Sequence, residues 1–290
     1  MKLHPCAFAL LLALSAATAL HAEAGPADAQ ARFQLARMLL LGEGVPKDEK
    51  KAFELMKAAA DQGHADAIGG LGYFYSTGTA VGKDEKKAAE WFRKGAERGS
   101  AKAQLNLGKM LLIKNSAASS AGATLPENMT AEGLEWVRKS ADSGLPEAAL
   151  TYGGILYFGD HGVEKDFKKS AALLKIAAAD GSADACNILG NMSELGLGVP
   201  VDSTLAIQWF RKAALQGNVK GQGNLGRLLG PESANQEVRI ESLAWLLIAS
   251  GQGDVAATKL IEGLTPGAKE GEMDAAGKMA TELKTLVKKK

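Results

Sequence analysis

The chain has 290 residues, with 34 lysines and arginines against 33 aspartates and glutamates, and only two cysteines. A net charge of +1 excludes the strongly basic class of general nucleic-acid binders, and the sequence has no long acidic block of the kind found in disordered tails. Hydrophobic residues make up 46% of the chain but aromatic residues only 6%, a balance that favours helices packed through small side chains over a sheet sandwich.

The N-terminal segment has the pattern of a secretory signal peptide. A short polar start with Lys2 is followed by an apolar run over residues 7–20, and small residues occupy positions Ala22 and Ala24. The apolar run is shorter than the ~20 residues that a membrane-spanning helix needs. We therefore predict a signal peptide over residues 1–24, cleaved after Ala22 or Ala24, and no integral membrane span. An uncleaved N-terminal anchor is the alternative.

A glycine closes a unit that the chain repeats six times. Neighbouring closing glycines are 36, 45, 37, 36 and 36 residues apart, and a fixed period in this range is typical of a solenoid. We predict an all-α solenoid over residues 25–254, in about six units of two antiparallel helices, and a C-terminal helical cap over residues 255–290. The closing glycines are Gly63, Gly99, Gly144, Gly181, Gly217 and Gly253. A Leu-Gly pair recurs within the units at Leu71-Gly72, Leu107-Gly108, Leu189-Gly190 and Leu225-Gly226, and the same slots hold Tyr152-Gly153 in one further copy.

Both helices of each unit have regular start signals. Side-chain oxygens of Asp, Ser and Asn accept a free backbone N–H at a helix start, and a glycine just before such a cap fits the left-handed residue that ends the preceding helix. Two of the expected first-helix caps, His64 and Leu145, are weak cap formers. The first-helix caps are Asp28, His64, Ser100, Leu145, Ser182, Asn218 and Asp254. The second-helix caps are Asp48, Asp84, Asp166 and Asp202.

A large apolar residue recurs at one point of every second helix. A helix pair cannot bury its apolar face alone, so this residue is expected to be buried against the neighbouring unit. We predict that the four tryptophans at this point are structural anchors. The residues there are Leu55, Trp91, Trp136, Leu173, Trp209 and Trp245.

Two segments depart from the period. The nine extra residues of the third unit fall between Ile113 and Thr130, in a stretch rich in Ser, Ala and Gly with one proline, which predicts a loop. This loop either belongs to the binding face or is a neutral insertion. In the cap we expect a first helix ending near Leu264 and a second one that restarts at Thr265-Pro266. Apolar residues at helical spacing in the second helix are Met279, Leu283 and Leu286.

Taken together, the motifs A-x-A-x-x-x-L-G, G-x-G-V, D-x-x-K-A and W-x-x-K-A-A resemble the Sel-one-like (Sel1-like) repeat family, relatives of the tetratricopeptide repeat. The best copy covers residues 183–217, and the resemblance extends over about residues 28–253. It implies a right-handed α-α superhelix of antiparallel helix pairs with a concave interaction surface. It also implies an adaptor role, in signalling or in building envelope complexes. With the signal pattern, it makes the bacterial periplasm the expected compartment, with secretion as the alternative.

Motifs that would carry chemistry are not apparent. His64, His161 and Cys186 lie in different units without ligand spacing, so we expect no zinc site and no cofactor. The glycine-rich turns recur between helices, which is not the strand-to-helix setting of a phosphate loop. A hydrolase is therefore the least favoured function. Cys186 occupies a slot filled elsewhere by different residue types, so we expect it to be half-exposed and unpaired. Those residues are Ile68, Gln104, Ala149 and Gln222.

The first helices are expected to line the concave side. The slot after the Leu-Gly pair varies in residue type, as expected of contact with solvent or ligand, and its basic and tyrosine side chains suit a peptide with acidic groups. We predict a non-catalytic scaffold that binds a protein or peptide there. The alternatives are an accessory factor that contacts an envelope polysaccharide or the cell wall, and a merely solvated groove. The candidate binding residues are Arg37, Tyr73, Lys109, Tyr157, Asn191 and Arg227.

Overall fold

Every regular element in the described part of the chain is a helix. The computed structural model describes residues 26–120, 128–230, 233–264 and 271–287. The chain divides into two compact units, Met1–Ala148 and Ala149–Lys290, each of which contains several of the repeats. From here on, a unit is one of these two parts and a repeat is one helix pair. The predicted signal peptide lies outside the described residues.

Antiparallel helix pairs build both units. In the first unit α1 pairs with α2, α3 with α4 and α5 with α6, and each pair also contacts the next through α2–α3 and α4–α5. In the second unit the pairs are α7–α8, α9–α10 and α11–α12, followed by α13 and α14. This confirms the predicted all-α repeat fold. The helices of the first unit are α1 (Pro26–Leu41), α2 (Glu49–Asp61), α3 (Ala65–Thr77), α4 (Glu85–Glu97), α5 (Ala101–Ser120) and α6 (Asn128–Asp142). Those assigned to the second are α7 (Pro146–Phe158), α8 (Phe167–Ala179), α9 (Ala183–Leu195), α10 (Ser203–Leu215), α11 (Val219–Leu229), α12 (Gln236–Ser250), α13 (Val255–Leu264) and α14 (Glu272–Leu286).

The expected caps are largely present. All four aspartates before the second helices accept a backbone N–H three residues on, and the six closing glycines have φ between 82° and 95°. Two expectations were wrong. Asp28 lies inside α1, which begins two residues earlier. His64 does cap α3, because its ring Nδ1 accepts the N–H of Ala67 at 3.2 Å.

At the Leu-Gly pair, the two helices of a repeat approach each other closely. A Cβ added to Gly72 would lie 2.5 Å from the Phe92 ring, and one added to Gly190 would lie 2.4 Å from the Phe210 ring. Real Cβ atoms do not approach other atoms so closely, so only glycine fits without rearrangement. The repeated glycine therefore sets how deeply the second-helix side chain packs against the first helix.

The anchor tryptophans lie in two different environments. Trp91, Trp136 and Trp209 are half-buried, and the ammonium of the lysine three residues on lies 4.4–4.7 Å from each ring centroid. Trp245 is fully buried, because α14 packs against α12 and adds Ala276 and Ala280 to its cluster.

A buried ion pair fastens α14 to α12. The Arg239 guanidinium donates to Glu272 at 2.6 Å, and the two side chains are only 10% and 3% exposed. The same guanidinium also donates to the carbonyl oxygens of Ser233 and Ala234. The last described helix begins at Glu272, while the predicted restart at residues 265–266 lies outside the described residues. Met279 and Leu283 pack as expected, but Leu286 is 65% exposed.

Part of the insertion in the third repeat is helical, whereas a loop was predicted; residues 121–127 of it lie outside the described residues. Helix α5 continues to Ser120 and α6 begins at Asn128. Residues 114–120 contain no glycine or proline, and the Ser and Ala residues there are compatible with a continuing helix. Compositional bias alone therefore misplaced the end of α5.

Candidate functional site

A cavity of about 270 Å³ lies on the first-helix face of the first unit. Its wall is formed mainly by α1, α3 and α5, the first helices of three successive repeats, with Met56 of α2 added. Arg37 and Tyr73 both line it. The rest of the lining is mostly apolar, and Gly69 and Gly70 form part of it without side chains. The lining thus joins two of the predicted binding residues in one concave feature. Its apolar members include Phe33, Leu40, Leu41, Met56 and Phe74.

A second cavity, of about 340 Å³, adjoins the first. The two share Tyr73 and Asn106 as lining residues, and the second also contains Lys109 and Ile113. The two cavities therefore form one trough, with Arg37 in one cavity, Tyr73 between the two, and Lys109 in the other. The turn before α4 and α4 itself also line the second cavity, through Lys83, Glu85 and Phe92. Tyr73 is 44% exposed, so much of its ring is available for contact.

The charges of this trough are unevenly neutralised. Lys109 donates to Glu147 at 2.6 Å, and Asp66 accepts a hydrogen bond from Ser100 at 2.7 Å. Among the described residues, neither Arg37 nor Lys102 has an ion-pair partner. The first cavity therefore carries two cations without an ion-pair partner and one carboxylate, which leaves its lining with a net positive charge.

The candidates in the second unit are more engaged. Arg227 makes a bidentate pair with Glu194, at 2.8 and 2.7 Å, and these hydrogen bonds raise the pKa of its guanidinium. Asn191 lies 3.5 Å from the amide nitrogen of Asn224. Tyr157 packs edge-on against Phe167 at 5.8 Å between centroids, and burial raises the pKa of its hydroxyl. Packing within the unit thus already uses much of their contact capacity.

Sequence reasoning missed two residues of the trough. They lie on the exposed side of α5, whereas Leu105 of the same helix is only 1% exposed and belongs to the core. These two residues, Lys102 and Asn106, line the cavities. The signal for them was the spacing of Lys102, Asn106 and Lys109, which are four and three residues apart and so share one helix face.

Hydrogen bonds between successive repeats hold the first helices in register. In four places a residue in the N-terminal part of a first helix bonds to the cap residue of the next first helix. Because His64 uses Nδ1 as an acceptor, its Nε2 carries the proton that is donated to Gln30, at 2.6 Å. These bonds fix the spacing of the helices that carry the trough. The pairs are Gln30–His64, Asp66–Ser100, Asp184–Asn218 and Lys220–Asp254.

Cys186 is buried, and the expectation of half exposure was wrong. It is 1% exposed, and burial raises the pKa of its thiol. Glutamine occurs in the same slot because its amide finds a partner: Gln104 and Gln222 each donate to a carbonyl oxygen of the preceding second helix. Variation in residue type therefore reflected alternative ways to fill a buried slot.

Within the described ranges, no group of three or more histidine, cysteine or acidic side chains could hold a metal ion. Across the same ranges, none of the helices combines the length and apolar character required to cross a bilayer.

Comparison with known proteins identifies the repeat. The model of the Sel1 repeat matches residues 29–64, 65–100, 101–145, 146–182 and 183–218. The sixth pair, α11–α12, lies beyond these matches. No curated protein sequence matches the chain significantly.

Among the solved structures that share the fold, two illustrate the similarity. One is c5321, a protective antigen present in uropathogenic Escherichia coli strains with an SLR fold, at 26% identity and a TM-score of 0.74. The match covers 97% of this chain and 57% of that chain, so this chain spans little more than half of the antigen's length. The other is a Sel1 repeat protein from Oxalobacter formigenes, at 30% identity and a TM-score of 0.60, covering 77% of this chain and 88% of that one. The chain belongs to the Sel1 repeat family, whose repeats generally form protein-interaction scaffolds.

Proposed function

We propose that this protein is an exported, non-catalytic adaptor that binds a partner protein or peptide on the first-helix face of its first unit. The observation that carries the proposal is the trough over α1, α3 and α5, which has an apolar lining and uncompensated cations. A groove of this kind offers apolar area for affinity and charges for orientation. The general role of Sel1 repeats as interaction scaffolds supports it.

The surface in the second unit is assigned a secondary role. Arg227 would have to give up part of its bidentate pair with Glu194 in order to bind a partner carboxylate. Tyr157 is held by its packing against Phe167. We therefore expect Asn191 and its neighbours to add contact area, while the first unit decides which partner is bound.

Export to the envelope is proposed from the N-terminal pattern. The segment over residues 1–24 combines a short basic start, an apolar run and a small-residue cleavage pattern. N-terminal sequencing of the protein from a periplasmic extract of its host should give a chain that starts after Ala22 or Ala24. An intact N-terminus in the membrane fraction would show an anchor instead.

The binding face can be tested with two matched variants. Removing the trough contacts with Arg37→Ala, Tyr73→Ala and Lys109→Ala together should abolish capture of the partner in a crosslinking pulldown from the envelope. The control Lys57→Ala with Arg98→Ala removes two exposed cations from the second helices and their ends, and should leave capture unchanged. Capture that survives the triple change, with helical content intact, would refute the assignment of this face.

A further inference from the structure

We propose that the cavity of about 270 Å³ is a specificity pocket that takes one bulky apolar side chain of a linear peptide, with a carboxylate directly next to it in the peptide. This inference rests on the proposed function and names the chemistry of the partner. The peptide segment recognised would be extended and would run across the first helices of the first unit, from one helix to the next.

Size and lining decide what enters the pocket. The cavity is smaller than the ~300–1,000 Å³ of ordinary small-molecule sites, but it has room for one aromatic or long aliphatic side chain. The lining is apolar on three sides, with Phe33 and Leu40 from α1, Met56 from α2 and Phe74 from α3. Removing an apolar side chain from water is therefore the main gain on binding.

Gly69 and Gly70 of α3 line the pocket and let neighbouring side chains lie close to this helix. A Cβ on Gly70 would lie 2.6 Å from the Met56 sulfur, and a Cβ on Gly69 would lie 2.7 Å from the Ala103 Cβ. In the next repeat, the position that corresponds to Gly70 carries Asn106, whose side chain lines both cavities. This part of the lining consists of glycines beside polar side chains. It leaves space for one side chain of the ligand, with the peptide backbone lying above it.

Charge determines what lies next to the apolar side chain. Arg37 and Lys102 come from α1 and α5 and line the same cavity without ion-pair partners among the described residues. Asp66, the one carboxylate of the lining, already accepts from Ser100. A carboxylate in the ligand would pair with these cations, whereas an amine in the same place would meet repulsion. An acidic neighbour is therefore favoured over a neutral or basic one.

The second cavity argues for a chain over a compact ligand. It shares Tyr73 and Asn106 with the first and continues to Lys109. Packed helices lie ~8–10 Å apart, so three successive first helices span roughly 16–20 Å, which an extended chain of about six residues covers at ~3.3 Å each. A peptide can occupy both cavities at once, whereas a single small molecule occupies one.

The test uses four capped hexapeptides, identical except for a central Phe-Glu, Phe-Gln, Phe-Lys or Ala-Glu pair, titrated into the isotope-labelled full chain. Amide NMR shifts should centre on Gly69, Gly70 and Asn106. Phe-Glu should bind best, about ten-fold or more above Ala-Glu because of the apolar side chain, and about two- to five-fold above Phe-Gln because of a partly exposed ion pair. Phe-Lys should be weaker than Phe-Gln.

Variants separate the two features of the pocket. Arg37→Ala with Lys102→Ala should remove the preference for Glu over Gln and keep the preference for Phe over Ala. The Lys57→Ala, Arg98→Ala control should keep both preferences. Circular dichroism and the urea midpoint of each variant establish that it is folded.

The outcomes distinguish this inference from the proposed function. Equal binding of Phe-Glu and Phe-Lys, shifts centred elsewhere, or no shifts would overturn the pocket assignment, while partner capture through the trough would still support the adaptor. Octanoate that shifts the same amides more strongly than Phe-Glu would also overturn it, in favour of a small amphiphile. Failure of the adaptor itself would appear as partner capture that does not depend on the trough.

Discussion

The substitution Gly190→Ala tests the packing rule that makes the repeat. Gly190 lies inside α9 and faces Phe210 of α10, which is fully buried. An added Cβ would lie 2.4, 2.5 and 2.9 Å from three atoms of this ring. Since the ring has no free space to move into, the two helices must separate or the ring must leave its preferred rotamer.

The expected size follows from two opposing effects. Overpacking of a core costs about 1–3 kcal/mol, whereas replacing a mid-helix glycine by alanine gains about 1 kcal/mol in helix propensity. The net prediction is a loss of up to about 2 kcal/mol relative to wild type, so that Gly190→Ala is about 1–3 kcal/mol less stable than a glycine-to-alanine change without overpacking. Gly154→Ala is the matched control, because this glycine is also inside a first helix but has no atom within 4 Å of an added Cβ. It should gain up to about 1 kcal/mol.

Urea unfolding followed by circular dichroism measures both variants. Gly190→Ala should lower the unfolding midpoint and Gly154→Ala should raise it slightly. The double variant Gly190→Ala, Phe210→Leu should cost less than the sum of the two single changes, because the smaller side chain makes room for the methyl group. A Gly190→Ala protein as stable as the Gly154→Ala protein would refute the packing rule.

Three further predictions concern the second unit. Glu272→Ala leaves the buried Arg239 charge without this partner and should cost about 3–5 kcal/mol, with loss of hydrogen-exchange protection in α14; unchanged protection would contradict the role of the pair. For Asp254, burial would raise the pKa, but hydrogen bonds from Ala257 and Ala256 and the pair with Lys220 outweigh it, so the pKa lies below its ordinary 3.8. The stabilising effect of this carboxylate is then fully present above pH 3.8 and is lost as the pH falls through the lower folded-state pKa; a free-energy difference between wild type and Asp254→Asn that does not shrink on acidification would contradict this. Native Cys186 should not react with a thiol reagent, because it is buried and its pKa is raised; in urea it should react fully, and rapid reaction of the folded protein would contradict its burial.

Local signals in the sequence were enough to predict the repeat fold. The glycine period, the aspartate caps and the Leu-Gly pair each reflect one backbone requirement that recurs from repeat to repeat. Such requirements depend on a few neighbouring residues, so the printed sequence reveals them directly. His64 was expected to be a weak cap because it has no side-chain oxygen. Its imidazole Nδ1 serves as the acceptor instead, and the hydrogen bond of Nε2 to Gln30 in the preceding repeat fixes the tautomer.

Contacts between neighbouring repeats were harder to predict. The burial of Cys186 was missed because glutamine also occupies this slot, and its amide finds a carbonyl partner in the preceding second helix only once the helices are packed. The complete burial of Trp245 depends on α14, which lies beyond the period. Similarly, Arg37 and Lys102 are far apart in sequence, and only the stacking of the helices brings both to one cavity.

Site-specific photocrosslinking can show whether the first-helix face of the first unit contacts a partner. A benzophenone amino acid in place of Tyr73 would lie in the trough, and the same group in place of Glu90 would lie on an exposed position of a second helix. We expect a discrete adduct in living cells from position 73, which disappears when Arg37→Ala and Lys109→Ala are added, and none from position 90. Adducts from position 90 alone, or from neither position, would contradict this expectation.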